Sequence, residues 1–279
     1  MGTGDTSAAF CAHLVAGIAD AGVTTAFVSP GSRNTPITLA LSREPRMRDI
    51  NVRDERAAGF MAVGLAKATG VPAVVACTSG SALTHYFPSV VEADQSSTPL
   101  IVISADRPVR LRGTGAPQTM DQTELFGTHV KQFIDTAATT TEGRTLGVEL
   151  VRQAIGRPPG PVHANLPFDE PLLPTNPVDV PVPRPLDLPH APPMASTGLL
   201  EHLASKRTLI VASGRQRSGF GAVLGEVADA MAAPVFIDPQ TPASGPTVLA
   251  RGDLLIGAHD ADGHRIVLEA LQPEAVLRL

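Results

Sequence analysis

Short apolar runs that end in Gly-, Ser- or charge-bearing turns alternate along this chain with stretches that are apolar at helical spacing. That alternation limits the possible folds more than any other feature. TTAFVSP (24–30), INV (50–52), PAVVACTSG (72–80), PLIVISADRP (99–108) and PVHANLP (161–167) read as strands, separated by helical patterns over 7–21, 55–69, 81–94 and 145–156. The runs are too continuously apolar to leave one face in water, so both faces of their sheet must be covered. Strands joined through helices pair in parallel, which predicts an α/β fold with a mostly parallel sheet and helices on both faces. Ligands of such sheets collect beyond the carboxyl ends of the strands. The unusual residues gather there, because SPGSR, RDER, CTSGS and SADRP each follow a strand.

Between 171 and 193 the text changes to PLLPTNPVDVPVPRPLDLPHAPP, which holds nine of the 26 prolines. A segment so poor in backbone donors cannot enter a central strand and reads as an extended linker. After it the alternation restarts: helix 197–205, strand 208–214, helix 219–232, strand 234–238, then DLLIG (253–257) and EAVLRL (274–279). The expected organisation is a first domain over 1–175, a Pro-rich linker over 176–194 and a second α/β domain over 195–279. The last of these looks truncated, because it stops on a strand where two more elements normally follow.

Net charge of −5 supplies no basic field for nucleic acid or an anionic membrane surface. No apolar run is long enough to span a bilayer, and the N-terminus has no basic stretch followed by an apolar core, so the cytoplasm is the expected compartment. Cys11 and Cys77 have no zinc or redox spacing. The histidines show no ligand spacing, and DADG (260–263) lacks the rest of a calcium loop, so no metal ligands are assigned. No GxSxG elbow, Walker loop or GxGxxG fingerprint is present.

Several turns can carry chemistry. In VSPGSRNTP (28–36), Pro30 and Gly31 force a tight turn that frees backbone N–H groups. Arg33 then offers a two-pronged donor for a carboxylate near the positive end of a helix, where the bland alternative is a turn with a solvated arginine. TSGSA (78–82) brings backbone close to a ligand at Gly80, with hydroxyls alongside. SADRP (104–108) presents Asp106 and Arg107, for which the bland alternative is a local ion pair of at most about 1 kcal/mol. GTGAPQTMDQ (113–122) carries Gln118, whose amide both donates and accepts. Two arginines on neighbouring loops suit a substrate with several carboxylates. Glu55, in NVRDERAAGFMAVGLAKATG (51–70), stands where a strand hands over to a helix rich in Ala and Gly, an apolar setting for an acid.

Taken in order over about 7–175, SPGSRNTP, RDERAAGFMAVGLA, TSGSALTHYFPSVVEA, SADRP, GTGAPQTMDQ and PVHANLPFDEPL resemble the N-terminal half of a thiamine-diphosphate enzyme. Within that superfamily they are similar to the menaquinone-pathway family of 2-succinyl-5-enolpyruvyl-6-hydroxy-3-cyclohexene-1-carboxylate synthases, a transferase that decarboxylates 2-oxoglutarate and adds the succinyl carbanion to isochorismate. The resemblance implies that Glu55 reaches N1′ of the cofactor's aminopyrimidine across an interface with a second subunit of a homodimer or homotetramer. There an acid kept protonated by burial favours the imino tautomer that removes the thiazolium C2 proton. It places Pro30, Gly31, Ser79 and Gly80 beside the cofactor and Ser32, Arg33, Arg107 and Gln118 beside the substrates. Diphosphate and Mg2+ belong, in that family, to a third domain with a GDG motif, and no GDG occurs here. This chain alone is therefore expected to hold no cofactor tightly and to turn nothing over. Its apolar face around 57–66 is expected to pair with a second copy or with the absent half.

Two positions depart from the family pattern: His85 and Pro117 stand where asparagines are usual. Pro117 brings neither an N–H nor an amide, so an expected hydrogen bond is missing. Another carboligase or decarboxylase of the superfamily, or a binding module that retains the fold without catalysis, therefore stay as alternatives.

Overall fold

Every residue of one strand, Leu100–Asp106, is buried, as the near-continuous apolar reading requires. The computed structural model describes residues 2–138, 142–188, 197–213, 219–238, 241, 243, 246–250, 261–262 and 271–279. In the first unit the strands are β1 (Thr25–Val28), β2 (Arg48–Asn51), β3 (Ala73–Cys77), β4 (Leu100–Asp106), β5 (Phe133–Asp135) and β6 (Pro161–Pro167). They form one sheet in the order β2-β1-β3-β4-β6-β5, parallel throughout. β2 lies on one side of β1 and all later strands on the other. The chain thus reverses direction between β1 and β3, the crevice where open α/β sheets bind ligands.

Helices α1 (Thr3–Asp20), α2 (Thr35–Arg43) and α5 (Gly143–Ile155) cover one face, burying Phe10, Leu14, Leu41 and Leu150 against Val28, Ile101 and Ala164. Helices α3 (Glu55–Thr69) and α4 (Phe87–Gln95) cover the other, where Ala58, Ala62 and Val90 meet Val75 and Val102. The side chains of a strand point alternately to these two layers. α3 is bounded by local chemistry. The Asp54 carboxylate accepts the Ala57 N–H at 3.0 Å, and Gly70 ends the helix in the left-handed region at φ 74°. The helical pattern over 81–94 divides in two, a 3-10 turn Gly80–Tyr86 followed by α4, with Pro88 in the first turn of α4, where its missing N–H costs nothing. β5 has no counterpart among the expected strands, because its three residues are too short for a periodic signal.

The Pro-rich segment is extended, yet its course to residue 188 is fastened to the first unit. The buried Asp5 carboxylate accepts the backbone N–H groups of Thr175 (2.7 Å) and Asn176 (3.1 Å) and the Asn176 side chain (2.8 Å). Asp20 accepts the Arg184 N–H at 2.8 Å and is paired with Arg46 and Arg144. Leu172 and Leu188 pack on the α1 side of the core. The chain divides after Ala191, so these residues travel with the first unit as a strap.

The second unit, from Pro192 onward, holds a parallel sheet in the order β10-β7-β8-β9, with β7 Thr208–Ala212, β8 Val235–Ile237, β9 Val248–Ala250 and β10 Ala275–Arg278. α6 (Thr197–Ala204) and α7 (Phe220–Ala230) accompany it, and Ile210, Leu224, Ala228 and Val235 form its core. The expected strand at 253–257 lies outside the described residues.

Candidate active site

The loop after β1 is held from within. Ser29 N–H extends the pairing of β1 to the Ala76 carbonyl (2.8 Å), and the Asn34 amide donates back to the Ser29 carbonyl (2.9 Å). Gly31 passes so close to Thr78 that a Cβ there would overlap its side chain. Pro30 and Ser32 are exposed and Gly31 half-buried, and α2 begins only at Thr35. Arg33 is buried and turned toward the exit of β6. Its Nη1 donates to the Phe168 carbonyl at 2.9 Å and its Nη2 to Glu170 Oε1 at 3.1 Å. Its Nε is buried without a hydrogen-bond partner. A solvated arginine in a plain turn is therefore not what the chain builds.

Ser79, Gly80, Arg107 and Gln118 form one bonded cluster at the ends of β3 and β4. The Arg107 guanidinium donates to Ser79 Oγ and, at 3.1 Å, to the Pro117 carbonyl. Ser79 Oγ donates to the Gln118 carbonyl (3.2 Å), and Gln118 Nε2 donates to the Ser79 carbonyl (3.1 Å). Gly80 takes φ +85°, and a Cβ there would press on Gln118. Burial, followed by the like charge of Arg33, lowers the pKa of Arg107, so the two arginines feel one another. The bland alternative for SADRP, a local ion pair, is not what forms: Asp106 takes the Arg107 backbone N–H (2.7 Å) and the Arg112 guanidinium (2.8 Å). Pro117 anchors Arg107 through its carbonyl, a group every residue possesses, so the departure at 117 leaves this contact intact.

Beneath the cluster lies a layer of buried polar side chains. Gln122 Oε1 accepts the Gly80 N–H at 2.7 Å, while its Nε2 donates to the Ala105 carbonyl (3.1 Å) and to Asn165 Oδ1 (2.8 Å). Asn165 Oδ1 also accepts from Ser104 Oγ (2.7 Å), and Asn165 Nδ2 donates to Asp106 (2.9 Å) and Asp135 (3.2 Å). Because the Ser104 hydroxyl is committed to Asn165, His163 must donate to it from Nε2 at 2.7 Å, which leaves Nδ1 a buried bare acceptor. Burial pushes the His163 pKa down to about 3, so the ring is neutral. Gln122, Asn165 and Glu170 are absent from the expected site. The available signal was the alternation in SADRP and PVHANLP, where Ser104, Asp106, His163 and Asn165 take every second place of otherwise apolar strands and so share one face.

Glu55 opens α3 on the β2 side of the crevice. Its charge helps burial raise the Cys77 thiol well above its ordinary range, which places the carboxylate near the end of β3. The expected burial among Ala, Gly and Met is not supplied by this chain. Glu55 is half-buried, while Ala57 is exposed and Phe60 and Met61 are 44% and 46% exposed. Helical geometry explains the difference, since Ala58, Gly59, Ala62, Val63 and Ala66 lie on the buried side of α3 while Ala57, Phe60 and Met61 lie on the exposed side. Glu55 has no hydrogen bond or ion pair among the described residues. His85 is exposed, near the end of the 3-10 turn.

Residues 10–125 match the family model described as the thiamine pyrophosphate enzyme N-terminal TPP binding domain. The chain is 42% identical over 253 residues to a 2-succinyl-5-enolpyruvyl-6-hydroxy-3-cyclohexene-1-carboxylate synthase of Geobacillus kaustophilus, covering 84% of this chain and 44% of the relative. The synthase of the same name from Listeria innocua is 48% identical over 176 residues, 61% of this chain and 30% of the relative. That of Chloroflexus aurantiacus is 38% identical over 294 residues, 95% of this chain and 48% of the relative. The chain spans about half the length of the curated relatives it matches or less.

Proposed function

We propose that this chain, whose residues 10–125 match the N-terminal domain of thiamine pyrophosphate enzymes, is the N-terminal portion of a synthase that decarboxylates 2-oxoglutarate and adds the succinyl carbanion to isochorismate. The observation that carries this reading is the arginine pair at the ends of β1 and β4. Arg107 is depressed by burial and by the charge of Arg33, and Arg33 keeps a buried Nε without a partner. Two cations held this close in a crevice favour a ligand that brings more than one carboxylate, and both proposed substrates do.

In this reading Glu55 holds a ring nitrogen of the aminopyrimidine, and the half-buried carboxylate without a protein partner fits that task. The cofactor, when bound, supplies the carbanion-stabilising centre at which the oxo acid loses carbon dioxide. Arg33 and Arg107 orient carboxylates of the substrates, Gln118 adds an amide, and the Ser79–Gly80 turn borders the ring. Diphosphate and Mg2+ are assigned to the remainder of the protein. A second copy across α3 would cover Phe60 and Met61 and complete the dry surroundings that Glu55 lacks here. Among the described residues no helix is long and apolar enough to cross a membrane.

The test is carbon dioxide release from 2-oxoglutarate by the intact protein with thiamine diphosphate and Mg2+, with and without isochorismate, beside Glu55→Gln. Isochorismate-dependent product that collapses in the variant is the expected result. Decarboxylation without an adduct would instead identify another carboligase of the superfamily. No turnover at all would overturn the enzymatic reading.

A further inference from the structure

Two backbone amides, at the exits of the neighbouring strands β3 and β4, are tied together by buried side chains. Gly80 N–H donates to Gln122 Oε1 (2.7 Å), Gln122 Nε2 to Asn165 Oδ1 (2.8 Å) and Asn165 Nδ2 to Asp106 Oδ2 (2.9 Å), while Arg107 N–H donates to Asp106 Oδ1 (2.7 Å). Gln122, Asn165 and Asp106 are each no more than 1% exposed. We propose that Gln122 and Asn165 are positioning residues that brace the Ser79–Gly80 turn and Arg107 into one frame, so that the ring-facing and carboxylate-facing parts of the site move together.

The directions of the bonds allow only one arrangement. A turned Asn165 amide would set its NH2 against the NH2 of Gln122 and its oxygen against two carboxylates. A turned Gln122 amide would set its NH2 against the Gly80 N–H and its oxygen against the Ala105 carbonyl. Both donors and both lone pairs of Asn165 are committed, to Asp106, Asp135, Ser104 and Gln122. Buried amides as fully committed as those of Gln122 and Asn165 rigidify what they hold. What it holds is specific. Arg107 reaches Ser79 and the Pro117 carbonyl, Gln118 reaches Ser79, and Gly80, at φ +85°, fixes where that turn leaves the strand. Gln122 joins this from the loop that follows Gln118, so one amide sets the height of both loops above the sheet.

The assignment of ring-facing and carboxylate-facing sides rests on the proposed function, whereas the brace itself does not. The experiment is amide hydrogen exchange on the intact protein carrying Gln122→Met, which keeps the volume and loses every bond. Beside it stands Thr98→Val, which removes a buried hydroxyl just before β4, at the opposite end of that strand and outside this network. Gln122→Met is expected to speed exchange at least tenfold over 79–83 and at the Arg107 amide, leaving α1 protected, while Thr98→Val leaves those amides unchanged. In the same variant, thiamine diphosphate titration and the KM for 2-oxoglutarate are expected to weaken together, by at least fivefold each. Unchanged exchange at 79–83 would overturn the brace, as would a uniform rise that includes α1. Loss of thiamine diphosphate affinity without a change in KM would overturn the coupling of the two sides. An intact protein that never decarboxylates 2-oxoglutarate would fail the functional reading while exchange still reports on the brace.

Discussion

The two sides of the crevice are built on opposite terms. On the β4–β6 side nearly every polar group is spoken for: Arg107 by Ser79 and Pro117, Gly80 by Gln122, and Asn165 by four side chains. On the β2–α3 side Glu55 stands half-buried with no bond among the described residues, beside exposed Phe60 and Met61. The first side is finished within the chain and can be rigid before anything binds. The second presents an acid and an apolar face that only an outside surface could complete. A single sheet can thus carry a preorganised half-site and an unfinished one, and each should respond differently to the same kind of lesion.

The largest effect is expected from Asn165→Leu. It removes one hydrogen bond each from Asp106 and Asp135, which keep Arg112, and leaves Ser104 Oγ and Gln122 Nε2 short of an acceptor in a buried layer, so the cost should be about 2–4 kcal/mol in denaturant unfolding of the first unit. A loss under about 1 kcal/mol would break the contrast, because it would mean that water already serves this layer.

Acid sharpens the comparison next. Burial holds His163 neutral, its pKa down from 6.5 to about 3, so the unfolded chain takes up this proton near 6.5 while the folded chain refuses it. The unfolded state binds more protons between those values, and stability therefore falls as pH drops from about 6.5 toward 3. From pH 7 to pH 5 the expected loss is about 2 kcal/mol. The depressed carboxylates add nothing in that interval, because Asp135, held down by Arg112, and Asp20 lose their stabilising charge only below the ordinary value of 3.8. At Asp20 burial pushes upward and the Arg46, Arg184 and Arg144 hydrogen bonds outweigh it. His163→Gln should flatten the dependence between pH 7 and pH 5 whatever it does to stability at neutral pH.

Smaller still is the difference between two glycines of α3. A Cβ at Gly59 would overlap Ser89 Oγ and touch Tyr86, so Gly59→Ala should cost about 1–3 kcal/mol. At Gly64 nothing lies within 4 Å, and Gly64→Ala should stabilise the helix by up to about 1 kcal/mol. Thermal melts of the two variants read both signs. A gain at Gly64 that reverses in the assembled protein would show that this face is covered there.

The smallest effect on folding belongs to Glu55→Gln, within about 0.5 kcal/mol, since the carboxylate has no partner to lose. The same variant should reduce turnover of the intact protein by at least about a hundredfold. A destabilisation above 1 kcal/mol would place Glu55 among the finished groups instead of the unfinished ones.

Much of this was legible in the residues. β1, β3, β4 and β6 each announce themselves as apolar runs, and α3 is bounded by Asp54 and Gly70, residues whose local preferences settle a helix end without help from the rest of the chain. The turns bearing Arg33, Ser79, Gly80, Arg107 and Gln118 could be placed at strand ends for the same reason. β5 could not, being three residues long. The Pro-rich segment reads as free linker because proline forbids a strand. Nothing in its composition reveals that Asp5 and Asp20 offer carboxylates to its backbone, nor could the spacing of SADRP reveal that Asp106 takes the side chains of Asn165 and Arg112 rather than the guanidinium of its neighbour Arg107.

Alternation, turn chemistry and composition therefore determined an α/β sheet covered on both faces, with its Gly-, Ser- and Arg-bearing turns at the carboxyl ends, because those signals act over a few residues. The tertiary structure alone decided which polar groups are saturated and which are left open. Ser104 meets Asn165 through strand register across 61 residues, and Gly80 meets Gln122 across 42. On α3 the same small residues are buried at Ala58 and exposed at Ala57 according to which side the sheet occupies. Periodicity shows that a helix has faces, and only the packing of distant elements determines which of them is covered.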